Sequence, residues 1–112
     1  MPIPAPNLYP PFNIVRLSHV ELAVTDLARS RAFYVDTLGL QVTDESADAI
    51  YLRAMEERGH HCIVLRTSSE ACARDLGFKV FDEDSLDKAA HFFQGKGLPV
   101  EWVERPFQSR TF

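Results

Sequence analysis

The feature that most constrains this chain is a weak internal repeat. Residues 20–42 (VELAVTDLARSRAFYVDTLGLQV) lie over residues 78–100 (FKVFDEDSLDKAAHFFQGKGLPV) without a gap, at an offset of 78 − 20 = 58. Asp26 meets Asp84, Ala32 meets Ala90, Gly39 meets Gly97, Leu40 meets Leu98 and Val42 meets Val100. The identities fall at an acidic N-cap position, at a glycine that stops a helix, and at the strand residues after it. Those are the places where elements begin and end. The chain is therefore expected to use one strand–helix–strand design twice.

The first copy reads β-α-β-β-β. Asn13 to Val24 alternates as a strand, with Val20, Leu22 and Val24 on a helix-facing side and Leu17, His19, Glu21 and Ala23 on the other. Thr25 and Asp26 supply cap chemistry for a helix to about Leu38, with Leu27, Ser30, Tyr34 and Leu38 as its stripe and Gly39 as its stop. Strands are expected at Leu40–Asp44, Ala49–Met55 and His61–Thr67. In the second copy a strand is expected at Leu76–Phe81. A helix capped by Asp84 and Ser85 follows, with the stripe Leu86, Ala89, Ala90 and Phe93. The last strand of this copy is Leu98–Glu104. The organisation is thus a Pro-rich arm (1–13, with five prolines in residues 2–11), a first βαβββ unit (14–67), a linker (68–75) and a second unit (76–112). By the repeat, the strand matching His61–Thr67 would end near 67 + 58 = 125, so the second unit is expected to be incomplete.

Composition narrows the function classes. With 12 Lys and Arg against 16 Asp and Glu, the chain carries a formal charge of −4. It has no basic excess with which to bind nucleic acid. No apolar run approaches the roughly 18–20 residues of a membrane span, and residues 1–12 lack the charge and apolar core of a secretory signal. The two cysteines, Cys62 and Cys72, have neither disulfide-framework nor zinc spacing, and read as thiols in a reducing cytoplasm.

The run His19–Leu40 (HVELAVTDLARSRAFYVDTLGL) resembles the vicinal oxygen chelate superfamily, which includes glyoxalase I, fosfomycin-resistance proteins and extradiol dioxygenases. Asp26, Leu27, Ser30, Phe33, Tyr34, Leu38, Gly39 and Leu40 match its D-L-x-x-S-x-x-F-Y-x-x-x-L-G-[LF] pattern. Within it, the Pro-rich arm with FNIVRLSHVELAVTDL, and Ala49–Arg66 (AIYLRAMEERGHHCIVLR), are similar to the N-terminal domain of 3,4-dihydroxyphenylacetate (homoprotocatechuate) 2,3-dioxygenases. The resemblance implies an α+β fold of tandem βαβββ units. It also implies a parent enzyme that opens a catechol beside its diol, using O₂ and Fe2+ or Mn2+, to give a muconate semialdehyde. A homo-oligomer in the cytoplasm is expected, with no nucleic-acid or membrane partner. In that family the metal sits in the C-terminal domain, so this part is expected to bind none.

Such a metal needs two His and one carboxylate on one face. Of the four histidines, His19 alone occupies a superfamily ligand position, with Glu21 on the same strand face. Its counterpart at 19 + 58 = 77 is Gly77, which cannot ligate. His60 and His61 are expected as exposed hairpin neighbours pointing apart, and His91 as a partly solvated helix residue. Glu21 and Glu101 are a possible pair across a groove. Phe33, Tyr34, Phe92, Phe93 and Trp102 are expected in the core or an interface. No residue is assigned as catalytic, cofactor-binding or metal-ligating. Two further readings stand beside the non-catalytic one. One is a stand-alone glyoxalase-like dimer binding a metal or small molecule through His19. The other is an interaction module whose unfinished sheet recruits a strand at its edge.

Overall fold

The computed structural model describes residues 1–112. Five strands form one sheet: β1 (Ile14–Val24), β2 (Gln41–Glu45), β3 (Ala49–Arg53), β4 (Ile63–Thr67) and β5 (Cys72–Val80), in the order β2-β3-β4-β1-β5. The helices are α1 (Leu27–Arg31), which runs on as a π-helical segment (Ala32–Thr37), and α2 (Glu83–Gly95). The chain forms two compact units, Leu17–Phe78 and Met1–Arg16 with Lys79–Phe112.

In the Leu17–Phe78 unit, β1 runs parallel to β4, while β3 is antiparallel to both β2 and β4. The register places Leu22, Leu65 and Ile50 side by side on one face, and Val20, Ile63 and Leu52 beside them. Leu52 and Leu65 are fully buried here, against Leu22, Val24, Leu27, Tyr34 and Val35. Each fully buried leucine contributes about 2 kcal/mol through the area it removes from water. The opposite face carries the rows Glu21–Val64–Tyr51 and Ala23–Arg66–Ala49.

The first helix differs from the expected α-helix. Asp26 caps it, accepting from the Arg29 N–H at 2.9 Å. From Ala32 the bonds widen, so that the Leu38 N–H reaches the Phe33 carbonyl five residues back. The wider turn rotates the buried stripe onto Tyr34 and Val35 and leaves Leu38 at 55% exposure. Gly39 then takes φ +78, a conformation that costs glycine nothing.

In the second unit Gly97 ends α2 in the same way, at φ +77. The Leu98 N–H bonds the Phe93 carbonyl and the Gly97 N–H bonds the Gln94 carbonyl, which makes a Schellman stop. The cap, however, is Asp82, whose carboxylate accepts from the Ser85 N–H at 2.8 Å. Asp84 lies inside the first turn, so α2 begins two residues earlier than the repeat alignment places it. Ser85, Ala89 and Ala90 are its buried residues. Phe12 meets Phe92 and Phe93 with ring centroids 5.5 Å apart.

Two expected strand boundaries are corrected. β5 starts at Cys72 rather than Leu76, so strand replaces half of the expected linker. Leu98–Glu104 forms no strand. Pro99 has no N–H to donate, and only Val103 finds a partner, in a single bridge to Thr111.

Candidate functional site

The site the sequence points to lies on the face of the Leu17–Phe78 unit away from the first helix. The Val20 N–H donates to the Cys62 carbonyl at 3.0 Å, and the Cys62 N–H donates to the Leu52 carbonyl at 2.8 Å. These bonds bring the segment before β4 alongside His19. His61 sits there at 7% exposure, with its ring edge-on to His19 (5.1 Å, 63°), Tyr51 (5.1 Å, 70°) and His60 (5.2 Å, 84°). The Nδ1 atoms of His60 and His61 are 3.0 Å apart, so one donates to the other. His61 Nε2 is buried and makes no hydrogen bond. Burial, reinforced by His19 and His60, lowers the His61 pKa to about 4. His61 is therefore neutral at neutral pH.

This overturns the expected exposed pair at His60 and His61. Alternation across a strand separates neighbours only where the backbone is extended, and β4 begins two residues later, at Ile63. The bend lets both rings pack together. Phe33 (50% exposed) and Trp102 (42% exposed) lie at the surface, so of the two expected settings, core or interface, they do not take the core. His91 is exposed on α2, as expected.

Gly77 has a specific role beside His19. A Cβ placed on Gly77 would stand 2.5 Å from His19 Nδ1 and 2.7 Å from Nε2. The residue that the repeat pairs with His19 is thus the residue whose missing side chain makes room for the His19 ring.

Glu21 does not stand open toward a ligand. Its carboxylate accepts from Arg66 Nε at 2.6 Å, with the Glu21 side chain 7% and the Arg66 side chain 28% exposed. Arg66 is flanked across the sheet by Ala23 and Ala49. Their small side chains let the long guanidinium stem lean back along the strand to Glu21, a diagonal neighbour. Hydrogen bonding to Glu21 raises the Arg66 pKa, with a further contribution from Tyr51. Sequence reasoning missed Arg66, Tyr51 and the burial of His61. The only sequence signal for Arg66 was the alanine at each neighbouring position, which becomes readable once the β1–β4 pairing is known.

The donor set does not fit a two-His, one-carboxylate metal site. Glu21 is held by a guanidinium, Gly77 offers no ligand, and no group of three His, Cys, Asp or Glu side chains converges on a common point. The face is a polar core, with imidazoles packed edge to face beside a buried ion pair.

A mixed sheet built on a β-α-β-β-β run, followed by a further strand and helix, defines the class. Residues 16–107 match the model of the Glyoxalase/Bleomycin resistance protein/Dioxygenase superfamily, and the chain belongs to that superfamily. Within it, the chain is similar to metapyrocatechase of Geobacillus stearothermophilus, at 30% identity over 85% of this chain and 29% of the relative. It is also similar to the manganese-dependent 2,3-dihydroxybiphenyl 1,2-dioxygenase of Geobacillus genomosp. 3, at 28% identity over 81% of this chain and 29% of the relative. Among solved structures it resembles homoprotocatechuate 2,3-dioxygenase of Brevibacterium fuscum in its anaerobic complex with 3,4-dihydroxyphenylacetate. That match has 42% identity and a TM-score of 0.80, over 90% of this chain and 31% of that one. The chain therefore spans less than a third of the length of these relatives.

Proposed function

We propose that this chain is the N-terminal, non-catalytic part of an extradiol ring-cleavage dioxygenase acting on 3,4-dihydroxyphenylacetate or a related catechol. The observation that carries the reading is the likeness to the B. fuscum enzyme, 42% identical over nine-tenths of this chain. The closed face supports it, because the carboxylate beside His19 is tied to Arg66 at 2.6 Å. In this reading the complete enzyme is a cytoplasmic homo-oligomer that takes a catechol and O₂. Its Fe2+ or Mn2+ is held by residues outside this chain. Residues 14–67 are one βαβββ unit and 76–112 part of a second, and they contribute packing rather than ligands.

A chimera tests the reading. Residues 1–112 replace the matching segment of the B. fuscum enzyme, and the product is supplied with Fe2+, 3,4-dihydroxyphenylacetate and air. Ring cleavage, seen as a yellow semialdehyde, is expected from the chimera and not from the 112-residue chain. Turnover by the chain alone contradicts the reading, as does a folded, metal-loaded chimera without activity. The stand-alone glyoxalase-like reading would need His19 to hold metal with a free carboxylate. A tightly bound equivalent of metal lost on His19→Ala would favour it, and the Glu21–Arg66 pair speaks against it.

A further inference from the structure

Three of the four histidines gather in the Leu17–Phe78 unit, where the chain returns from β3 to β4. His60 and His61 meet through Nδ1 atoms 3.0 Å apart, and their ring centroids are 5.2 Å apart. The difference, 5.2 − 3.0 = 2.2 Å, is the sum of two imidazole radii. The two nitrogens therefore lie on the line between the rings and aim at each other. In the hydrogen bond they make, one ring gives a proton and the other a lone pair.

Two nitrogens aimed head-on describe a straight ligand–ion–ligand axis. That is the geometry of a closed-shell monovalent ion, Cu+, whose two-coordinate complexes are linear. It does not suit Fe2+, Mn2+ or Mg2+, which need several ligands, whereas imidazole is a ligand copper accepts. No third His, Cys, Asp or Glu converges on the pair, and a linear ion asks for none. His61 is 7% exposed, and a monovalent ion without water ligands costs less to place there than a hydrated divalent one. Metal–nitrogen bonds of about 2 Å set the nitrogens about 4 Å apart, so one ring must draw back by about 1 Å. His60 is the ring able to do so, since its side chain is 28% exposed and stands ahead of the first residue of β4. Behind it, an Asp44 carboxylate oxygen lies 4.0 Å from His60 Nε2. A carboxylate on the far nitrogen of a ligating histidine holds the tautomer that leaves Nδ1 bare, and it offsets the charge of the ion.

We propose that His60 and His61 form a linear, two-coordinate site for Cu+, bound between the two Nδ1 atoms in place of the proton they share. The inference goes beyond the dioxygenase reading and does not rest on it, because that reading is tested by catechol cleavage in the chimera. It also differs from the glyoxalase-like reading, in which the metal depends on His19.

Anaerobic titration with Cu+ under ascorbate, in competition with a chromophoric Cu+ chelator, tests it. Thiolates also bind Cu+, so affinity is measured on the full chain carrying Cys62→Ser and Cys72→Ser. One equivalent is expected. On that chain His60→Ala is expected to weaken binding by about ten-fold or more, and Asp44→Asn by about ten-fold. His19→Ala and His91→Ala are expected to stay within about three-fold. Circular dichroism confirms that each variant is folded. In the parent chain saturated with Cu+, nitrogen NMR should show the Nδ1 resonances of His60 and His61 displaced and those of His91 unmoved. No uptake by the double-serine chain overturns the proposal. So do indifference to His60→Ala, loss of binding on His19→Ala, and unmoved Nδ1 resonances of His60 and His61 in the saturated parent.

Discussion

Arg66→Met is the sharpest probe of the polar face, because it removes one half of a buried ion pair and leaves the other. Glu21 is 6% exposed, so its carboxylate would be left in the sheet with almost no access to water. Breaking a buried pair by removing one partner costs about 3–5 kcal/mol. Arg66 itself is 28% exposed at its side chain, which places the expected loss near the lower end, about 3 kcal/mol. For a chain of this size the urea slope is about 1.5 kcal/mol per molar, so the midpoint should fall by about 2 M. Glu21→Met with Arg66→Met replaces the whole pair by apolar groups of similar reach, and should lie within about 1 kcal/mol of the parent. A loss under about 1 kcal/mol for Arg66→Met would refute the reasoning, since that is the behaviour of a solvated surface pair.

Other consequences follow from the same geometry. His61 has a folded pKa of about 4 against an ordinary 6.5, so the unfolded chain protonates first as pH falls. The His61 contribution to stability should be level above about pH 7, fall by at most about 3 kcal/mol between pH 6.5 and 4, and level off below; imidazole NMR, and urea titrations of the parent against His61→Phe at each pH, check this. A His61 resonance that titrates near 6.5 would remove the effect. Gly77→Ala should destabilise by about 1–2 kcal/mol through overlap with the His19 ring, and adding His19→Ala should cancel most of that penalty; additive losses in a thermal-melt cycle would contradict the contact. Asp26→Ala should cost about 1 kcal/mol by removing the cap on the Arg29 N–H, read as a lower melting temperature.

The elements legible in the sequence were those fixed by local chemistry. Gly39 and Gly97 stop their helices at φ +78 and +77, as the repeat implied. The alternation of β1 sorted Leu22 and Val24 from Glu21 and Ala23 correctly, because one face meets a helix. What was not legible depended on competition or on distance. Asp82, Glu83 and Asp84 offer three acidic candidates for one cap, and sequence cannot say which carboxylate reaches the Ser85 N–H. The π-helical turn at Ala32–Thr37 shifts the buried stripe, a rotation that a 3.6-residue period does not contain. The Leu98–Glu104 run has strand composition, yet it meets a partner only at Val103. For the site, His19 and Gly77 were paired by the repeat, and the structure gives that pairing a steric meaning. The Glu21–Arg66 bond spans 45 residues and exists only through the parallel β1–β4 register. No helix of the chain is long and apolar enough to cross a membrane.

The central proposal is that the face carrying His19 serves as a polar core rather than as a catalytic centre. The direct measurement is anaerobic loading of the 112-residue chain with Fe2+ and 3,4-dihydroxyphenylacetate, followed by admission of O₂ and absorbance recording. The expected result is no yellow semialdehyde and no retained iron after desalting, with cleavage by the chimera under the same conditions. Stoichiometric iron held by the chain, together with catechol cleavage that is lost in His19→Ala, would contradict it.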